Sequence, residues 1–282
     1  KIELILVELN IGMRKRQEKV VNNIKGVKYR WTDLDELTQK PVTGVVIANE
    51  VLDAFPVERL VFRDENFFRQ GVSLKKIKDE YFLEFVDLKL TSKIKQFLKD
   101  SKSILNISFP PKDIDNGWVT EWHCDLPIWF RKLSNVLING SVLVVDYALE
   151  SKRYYNAMRK DGTVASYANQ EANSNILKDA GFCDLTAHLC IESTINYALT
   201  NGWNFMGETR QGQALLALGL SKFLYSIQTR TSDDLSAALN RRESLLRLVD
   251  PIGLGEFRWL AFQRKNSNDL NLRNLFLEEP IS

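Results

Sequence analysis

The chain has 282 residues, a length that can bury a sizeable hydrophobic core. Hydrophobic residues make up 44% of it, charged residues 26%, and the formal net charge is only +2. These values are typical of an ordinary globular protein, and they give no case for nucleic acid or an anionic membrane as the main partner. No apolar run approaches the roughly 20 residues that a membrane span needs, so we expect no membrane span.

The cysteines and histidines indicate the cellular compartment and argue against a metal site. The cysteines are Cys124, Cys183 and Cys190, an odd number without metal-ligand spacing. We therefore expect reduced thiols and a cytoplasmic, bacterial-type location. Because His123 and His188 are the only histidines, we expect no histidine-rich metal site.

The chain begins with a predicted strand–helix–strand unit. A strand at residues 2–7 ends in Glu8, a helix rich in Arg and Lys follows at residues 13–24, and residues 27–31 predict a second short strand. An acidic residue that ends a strand of a nucleotide-binding α/β unit can hydrogen-bond ribose hydroxyls. A strand-end carboxylate in solvent is the alternative interpretation of Glu8.

A third strand is predicted at residues 45–47, a β-branched apolar run of the kind that is buried on both faces of a sheet. It ends in Asn49 and Glu50, Asp53 follows three residues later, and Pro56 prevents a long helix. Acidic groups at the carboxyl end of a buried strand lie where open α/β sheets place their ligand crevice. In a helical turn, Glu50 and Asp53 would share one face and could hold a single cation. The alternative is a helix N-cap with a solvated first turn.

The next segments predict first a group of antiparallel strands and then alternating helices and strands. Residues 57–88 alternate apolar and polar side chains in three short runs separated by turn-forming residues, which predicts antiparallel strands inserted into the fold. Short helices are predicted at residues 92–99 and 127–137. Another buried strand at residues 141–145 ends in Asp146-Tyr147.

The sequence Asn49-Glu50-x-x-Asp53-Ala54-x-Pro56-Val57 resembles the signature of the MidA family of S-adenosylmethionine-dependent methyltransferases. That family includes the mitochondrial complex I assembly-factor arginine methyltransferase. Ala148 stands where the family has the glycine of Asp-Tyr-Gly, and a turn that needs a positive φ would resist its Cβ. Further blocks resemble the family in the same order over roughly residues 2–264: Glu8 with Gln17, the turn at Trp31, Asp146-Tyr147, and residues 161–164, 184–188, 211–219 and 241–263.

The resemblance implies a class I methyltransferase fold, in which a mostly parallel, doubly wound sheet has helices on both faces, together with an antiparallel insertion and accessory helices. It implies S-adenosylmethionine as the cofactor and, as the partner, a protein substrate that presents an arginine, such as a respiratory-complex subunit. A homodimer is left open. Trp31 would lie near the adenine, with a buried anchoring tryptophan as the alternative. The implied catalytic residues are Glu50, Asp53 and Asn49, and the implied cofactor-binding residues are Glu8, Trp31, Thr32, Asp33 and Asn49.

We predict one methyltransferase domain over residues 1–264, with a β insertion at about 57–90, an accessory helical region at about 150–250, and a tail at 265–282. The glycine-rich turn that lets backbone approach a nucleotide should precede the strand that ends in Glu8. No G-x-G pattern occurs before residue 8. We therefore expect the first strand and the glycine loop to be missing from this chain, and a gap or an exposed edge between the strands of Glu8 and Asn49.

Two other functions remain open at this point. A non-catalytic assembly or scaffolding protein could keep the fold; the missing glycine loop and Ala148 favour it, while Glu8 and the acidic signature argue against it. A nicotinamide-dependent enzyme is the weaker alternative, because no general acid or hydride-transfer group is visible. His188, among apolar neighbours, is more typical of a core histidine than of a catalytic one.

Overall fold

The structure is a computed structural model, and it describes residues 2–168, 171–173, 175–229, 235–264 and 275–278. The first elements are β1 (Glu3–Val7), α1 (Ile11–Val21), β2 (Lys28–Thr32), α2 (Leu34–Gln39) and β3 (Val42–Asn49). The next are β4 (Glu58–Arg63), β5 (Asn66–Ile77), β6 (Glu80–Leu88), α3 (Ser92–Leu105), β7 (Val119–Trp122), α4 (Leu126–Val136) and β8 (Leu137–Asp146).

The second half of the chain contains shorter elements. They begin with β9 (Ala148–Leu149), α5 (Ser151–Tyr154), β10 (Ala165–Ala168), β11 (Glu171–Asn173), β12 (Asp184–Thr186) and β13 (Leu189–Cys190). They continue with α6 (Ile191–Thr200), β14 (Trp203–Arg210), α7 (Gln211–Ala217), α8 (Leu220–Thr229), α9 (Leu235–Arg247) and β15 (Arg258–Arg264). The region at about 150–250, which we expected to be helical, therefore contains strands as well as helices.

The main sheet has the strand order β14-β15-β8-β3. Strands β3 and β8 are parallel, whereas β15 is antiparallel to both of its neighbours, β8 and β14. Three of the four strands run in one direction, but two of the three neighbouring pairs are antiparallel, so this sheet is mixed where the sequence predicted a mostly parallel one.

Strands β1 and β2 form a separate parallel pair. Among the strands of the described ranges, none pairs with the edge of β3 that faces away from β8. The strands that end near Glu8 and at Asn49 are thus not neighbours, as the sequence predicted. That a further strand and a glycine loop belong between them stays a prediction.

Strand β3 corrects one expectation. Val46 and Ala48 pack in the core, but the alternate side chains Val45 and Ile47 are 64% and 68% exposed. The prediction that residues 45–47 are buried on both faces is therefore wrong for this structure. A β-branched run predicts a strand, but both of its faces are buried only when a layer packs on each side of the sheet. Here one face of β3 is exposed.

The core of the main sheet lies under helices α4 and α6. Phe130 of α4 packs edge-on against Phe262 of β15 at 5.3 Å and against Trp129 of its own helix at 4.9 Å, and Tyr197 of α6 belongs to the same cluster. On the opposite face of β15, the Trp259 indole donates a hydrogen bond to Gln211 of α7, 3.2 Å away. Helices therefore cover both faces of this part of the sheet, as the fold class predicted.

The predicted insertion forms a second, antiparallel sheet with the order β6-β5-β4-β7. Its turns fall at Asp64-Glu65 and at Lys78, where the backbone has positive φ. Because the period-two pattern and the turn residues are both local, the three strands of residues 57–88 are confirmed. A helix covers the sheet, since Phe97 of α3 stacks on Trp122 of β7 at 4.7 Å.

The ends of the chain and its surface add two findings. Most of the predicted tail, residues 265–282, lies outside the described residues; of the part that is described, Phe276 packs edge-on against Trp259 at 5.5 Å. In the described ranges, the helices are all too short or too polar to cross a bilayer.

Candidate active site

A tight turn follows β3 and carries the acidic signature. The Glu50 N–H donates to the Val145 carbonyl at 2.9 Å, and Glu50 itself is left-handed with a φ of 49°. A turn closes three residues later, where the Phe55 N–H donates to the Leu52 carbonyl at 3.1 Å. The segment is thus a turn and not the helical turn that the sequence suggested, because a left-handed residue interrupts helical geometry.

The turn buries one of its acids and exposes the other. Asp53 is only 5% exposed, whereas Glu50 and Asn49 face solvent and are joined by a hydrogen bond of 3.3 Å from the Asn49 amide. Since Asp53 is buried and no helix begins here, the alternative of an N-cap with a solvated first turn does not describe this segment.

Asp146, at the end of β8, anchors this turn. One of its carboxylate oxygens, Oδ2, accepts hydrogen bonds from the backbone N–H groups of Leu52 and Asp53, at 3.0 and 3.2 Å. The other oxygen accepts from the N–H of Tyr147 at 2.9 Å. Asp146 is 0% exposed, so the structure brings a further carboxylate into the site from an adjacent strand.

The buried acids perturb one another. Burial, together with the charge of Asp53, raises the pKa of Asp146 to about 7, although backbone N–H groups oppose the rise. Burial and the charge of Glu50 also raise the pKa of Asp53. Within the described ranges, no Lys, Arg or His forms an ion pair with Glu50, Asp53 or Asp146. The site therefore gathers three acids, and no cation from the described residues is paired with any of them.

An aromatic wall lies beside the acids. The Tyr147 ring meets Phe257 edge-on at 4.1 Å and His188 at 5.7 Å. Burial and the charge of Glu50 raise the pKa of the Tyr147 phenol, which ties this ring electrostatically to the acidic turn. Tyr147 and His188 are half-buried and Phe257 is buried, so the wall can exclude water from one side of a bound group without closing the site.

The segment before α6 links the wall to the turn. The Ala187 N–H donates to the Asp53 carbonyl at 2.9 Å, and the Leu189 N–H donates to the Tyr147 carbonyl at 2.8 Å. Between them, the carbonyl of His188 accepts a bond of 2.9 Å from Nε2 of His123. Burial lowers the pKa of His188 to about 4, so its ring is neutral near pH 7 and adds no charge to the site.

Ala148 has a simpler role than the sequence suggested. It forms the short parallel strand β9 with Leu189 and Cys190 of β13, in extended backbone, and its φ is not positive. The methyl group in place of the family's glycine is thus compatible with the local conformation.

Four of the five residues expected to bind the cofactor lie in or next to the β1–β2 pair, and the fifth, Asn49, ends β3. The Glu8 carboxylate is partly exposed and accepts a bond of 3.4 Å from the Gln17 amide, and the Trp31 indole donates to Gln17 at 2.9 Å. Asp33 caps α2 by accepting from the Glu36 N–H at 2.7 Å, and the hydroxyl of the buried Thr32 also bonds Glu36. Glu8 and Trp31 are therefore brought together, whereas Asp33 and Thr32 have local structural partners.

A nucleoside would find suitable groups in this first unit. A carboxylate can accept from both ribose hydroxyls, and an indole offers a flat surface to an adenine. The candidate residues thus fall into two groups, Glu8 with Trp31 at the β1–β2 pair and Asn49, Glu50 and Asp53 at the end of β3. Among the described residues there is no cluster of three side chains that could hold a metal ion.

Sequence reasoning did not include Asp146, Tyr147 or Phe257 among the site residues. A signal was present for the first two, because Asp146-Tyr147 ends a buried strand in the same way as Asn49-Glu50 does. No local pattern marks Phe257, which reaches Tyr147 from 110 positions further along the chain.

Comparison with known proteins gives a consistent result. A family model described as "Putative S-adenosyl-L-methionine-dependent methyltransferase" matches residues 1–209. Among solved structures, the chain is similar to an uncharacterised protein from Burkholderia thailandensis, with a TM-score of 0.80, 26% identity, and coverage of 99% of this chain and 70% of that one.

A second solved structure from Burkholderia thailandensis, described as a "likely methyl transferase" bound to S-adenosyl-homocysteine, has a TM-score of 0.79 and 25% identity. The match covers 99% of this chain and 68% of that one. A search of curated proteins found no match.

Proposed function

Because the chain belongs to the family of S-adenosyl-L-methionine-dependent methyltransferases, we propose that it methylates an arginine side chain of a protein. The family and the cofactor, S-adenosylmethionine, are shared with the similar structures. The comparisons do not identify the acceptor of the methyl group. The proposal for the acceptor therefore rests on the residues of this chain that would contact it.

One observation carries the proposal: the candidate site holds Glu50, Asp53 and Asp146 without a cation among the described residues. Burial is the largest cause of the raised pKa values of Asp53 and Asp146, and no cation among the described residues is paired with either acid to offset it. A substrate that brings a positive charge would relieve this cost. An arginine fits, because its planar guanidinium can be held by carboxylates in two-point hydrogen bonds.

Glu50 and Asp53 would hold and orient the acceptor. Both lie on the turn after β3, one exposed and one buried, so they can contact a guanidinium from the rim and from the floor of the site. When bound, the cofactor supplies the activated methyl group, so the protein contributes mainly positioning and exclusion of water. The carboxylates would also stabilise the positive charge on the guanidinium until a proton is lost.

Tyr147 would form the side wall of the acceptor site. Its ring packs edge-on against Phe257 at 4.1 Å, which limits its freedom to move. A flat guanidinium can stack on an aromatic ring, whereas a neutral amide gains less from that contact. The wall thus favours a planar cation in the same place that the acids do.

The cofactor would be held by the β1–β2 unit and the end of β3. We assign the ribose hydroxyls to Glu8 and the adenine to the turn of Trp31, Thr32 and Asp33. Asn49 would lie between the cofactor and the acceptor. The resemblance to the MidA family adds a respiratory-complex subunit as the protein substrate, a cytoplasmic location and a homodimer to this proposal.

The test uses the full-length protein with S-adenosylmethionine that is isotopically labelled in its methyl group. Acceptors are the proteins of a cell extract from a strain that lacks the gene, and after acid hydrolysis the labelled amino acids are separated. We expect label in methylarginine. A peptide around the labelled arginine, made once with arginine and once with citrulline, provides the matched control, since citrulline keeps the shape and removes the charge.

The other outcomes decide between the remaining functions. Label that appears only in other amino acids or in small molecules would overturn the arginine acceptor and leave the methyltransferase. If labelled S-adenosylmethionine neither binds nor donates its methyl group, the non-catalytic scaffolding protein becomes the better description.

A further inference from the structure

The turn that carries Glu50 and Asp53 has few hydrogen-bond partners available for its backbone N–H groups. Leu52 is 0% exposed and Asp53 is 5% exposed, so their N–H groups cannot turn to water. Both donate instead to the same oxygen of Asp146, which is more than 90 positions away in the chain. A buried N–H group that loses its hydrogen-bond partner destabilises the folded state, so this turn depends on that carboxylate for its conformation.

The second oxygen of Asp146 serves the other side of the site. It accepts from the N–H of Tyr147, the residue whose ring forms the aromatic wall. A single side chain therefore binds the backbone of the acidic turn and the backbone of the wall. Asp146 is 0% exposed, so it does not itself reach a bound acceptor.

A structural acid would be expected to look different. Glu121, the other carboxylate that is fully buried in the described ranges, is paired with the guanidinium of Arg59 at 3.2 Å. Among the described residues, Asp146 has only backbone donors, and it lies next to a second acid, Asp53, whose charge opposes its own. Keeping a charge in such a place is unfavourable for stability alone, and this points to a role in shaping the site.

We propose that Asp146 is a positioning residue that sets the Asp53 turn and the Tyr147 wall relative to each other for methyl transfer. This inference rests on the proposed function for its kinetic consequence only. A displacement of about 1 Å in a reacting group can lower a rate by roughly a hundredfold, so loosening the turn should act on turnover more than on cofactor binding.

The test compares Asp146→Ala and Asp146→Asn with Glu121→Gln, a matched change at the other fully buried carboxylate. Amide hydrogen exchange of Leu52, Asp53 and Tyr147 is followed first, because it needs no acceptor. We expect at least roughly tenfold faster exchange at these amides in Asp146→Ala and no local change there in Glu121→Gln. In Asp146→Asn, one oxygen remains to accept from the turn, so the exchange should lie between Ala and wild type.

Methyl transfer is measured next, with the acceptor identified in the labelling experiment, whatever its chemistry proves to be. We expect kcat per folded molecule to fall by roughly ten- to a hundredfold in Asp146→Ala, with the affinity for S-adenosylmethionine unchanged. The Asn variant should restore part of kcat, which a residue that only supports folding would not do.

Two results would overturn the proposal. One is unchanged exchange at Leu52 and Asp53 in both Asp146 variants; if the Ala variant does not fold, the Asn variant alone decides. The other is a lowered melting temperature with normal kcat per folded molecule, as expected for Glu121→Gln. An acceptor other than arginine would remove the proposed function but leave the exchange result, so the two failures can be told apart.

Discussion

In the part of the chain that the structure describes, two places bury a carboxylate completely, and they do so in opposite ways. At the base of the inserted sheet, Glu121 is paired with Arg59 at 3.2 Å and accepts a bond of 2.8 Å from the Thr163 N–H. At the end of the main sheet, Asp146 and its neighbour Asp53 have backbone donors but no cation among the described residues.

The packing around the two buried carboxylates also differs. Gly162 packs so closely on Glu121 that a Cβ would lie 2.0 Å from its Oε1, so the region is tightly filled. The turn of Asp53 instead opens toward the exposed Glu50 and the half-buried Tyr147. A buried acid with an internal cation supports the fold, whereas buried acids without one are better explained by a ligand that carries the charge.

The largest effect, on the free energy of unfolding, is expected from breaking the ion pair between Arg59 and Glu121. Arg59→Met leaves Glu121 buried without its cation, and removing one partner of a buried ion pair costs about 3–5 kcal/mol. We expect the free energy of unfolding in denaturant to fall by that amount. The control is Arg63→Met, which breaks the exposed pair with Asp87 and should cost only about 0–1 kcal/mol. Equal losses in the two variants would contradict the contrast.

Asp53→Asn should give the next largest effect, and on rate rather than stability. The variant keeps the shape and removes the charge that holds the acceptor. Because each tenfold in rate corresponds to about 1.4 kcal/mol, we expect a loss of about a hundredfold in single-turnover methyl transfer with saturating cofactor. Cofactor affinity should be unchanged, and Asp115→Asn at an exposed position is the control. A destabilised variant that methylates normally per folded molecule would remove Asp53 from the catalytic residues.

Glu8→Ala in the full-length protein tests the cofactor side. Losing hydrogen bonds from ribose hydroxyls to a carboxylate should weaken S-adenosylmethionine binding by roughly 1–3 kcal/mol. Isothermal titration measures it, with Glu3→Ala, on the same strand, as the control. If the affinity of the Glu8 variant equals that of wild type, Glu8 does not contact the cofactor.

The smallest effect concerns pH. The pKa of Asp146 is about 7 in the folded protein and roughly 3.9 in an unfolded chain. Between these values the folded state binds a proton that the unfolded state does not, so this group stabilises the fold as the pH falls and loses that contribution as the pH rises through about 7.

The measurement compares wild type with Asp146→Asn at pH 7.5 and pH 5. We expect wild type to gain on the order of 2 kcal/mol relative to the variant on acidification. His123 and His188, with pKa values lowered to about 4 by burial, shift stability in the opposite direction in both proteins, so their effect cancels in the difference. A difference that does not change with pH would show that Asp146 titrates normally.

The sequence by itself determined the elements whose signals are local. The strands β4, β5 and β6 follow from alternation of apolar and polar residues, and their turns from Asp64-Glu65 and Lys78. The end of β3 at Asn49 follows from an apolar run that stops at polar residues. Resemblance of the blocks from Glu8 onward then indicated the class I methyltransferase family.

Only the tertiary structure decided which acids are buried and what holds them. The left-handed Glu50, the exposed Val45 and the anchoring of Asp53 by Asp146 depend on contacts between segments far apart in the chain. Periodicity reports the conformation of one segment, but the layer that covers it and the donors that reach it come from elsewhere. The sequence therefore predicts an acidic turn after β3. The charge state and geometry of that turn depend on the pairing of β3 with β8, which brings Asp146 next to it.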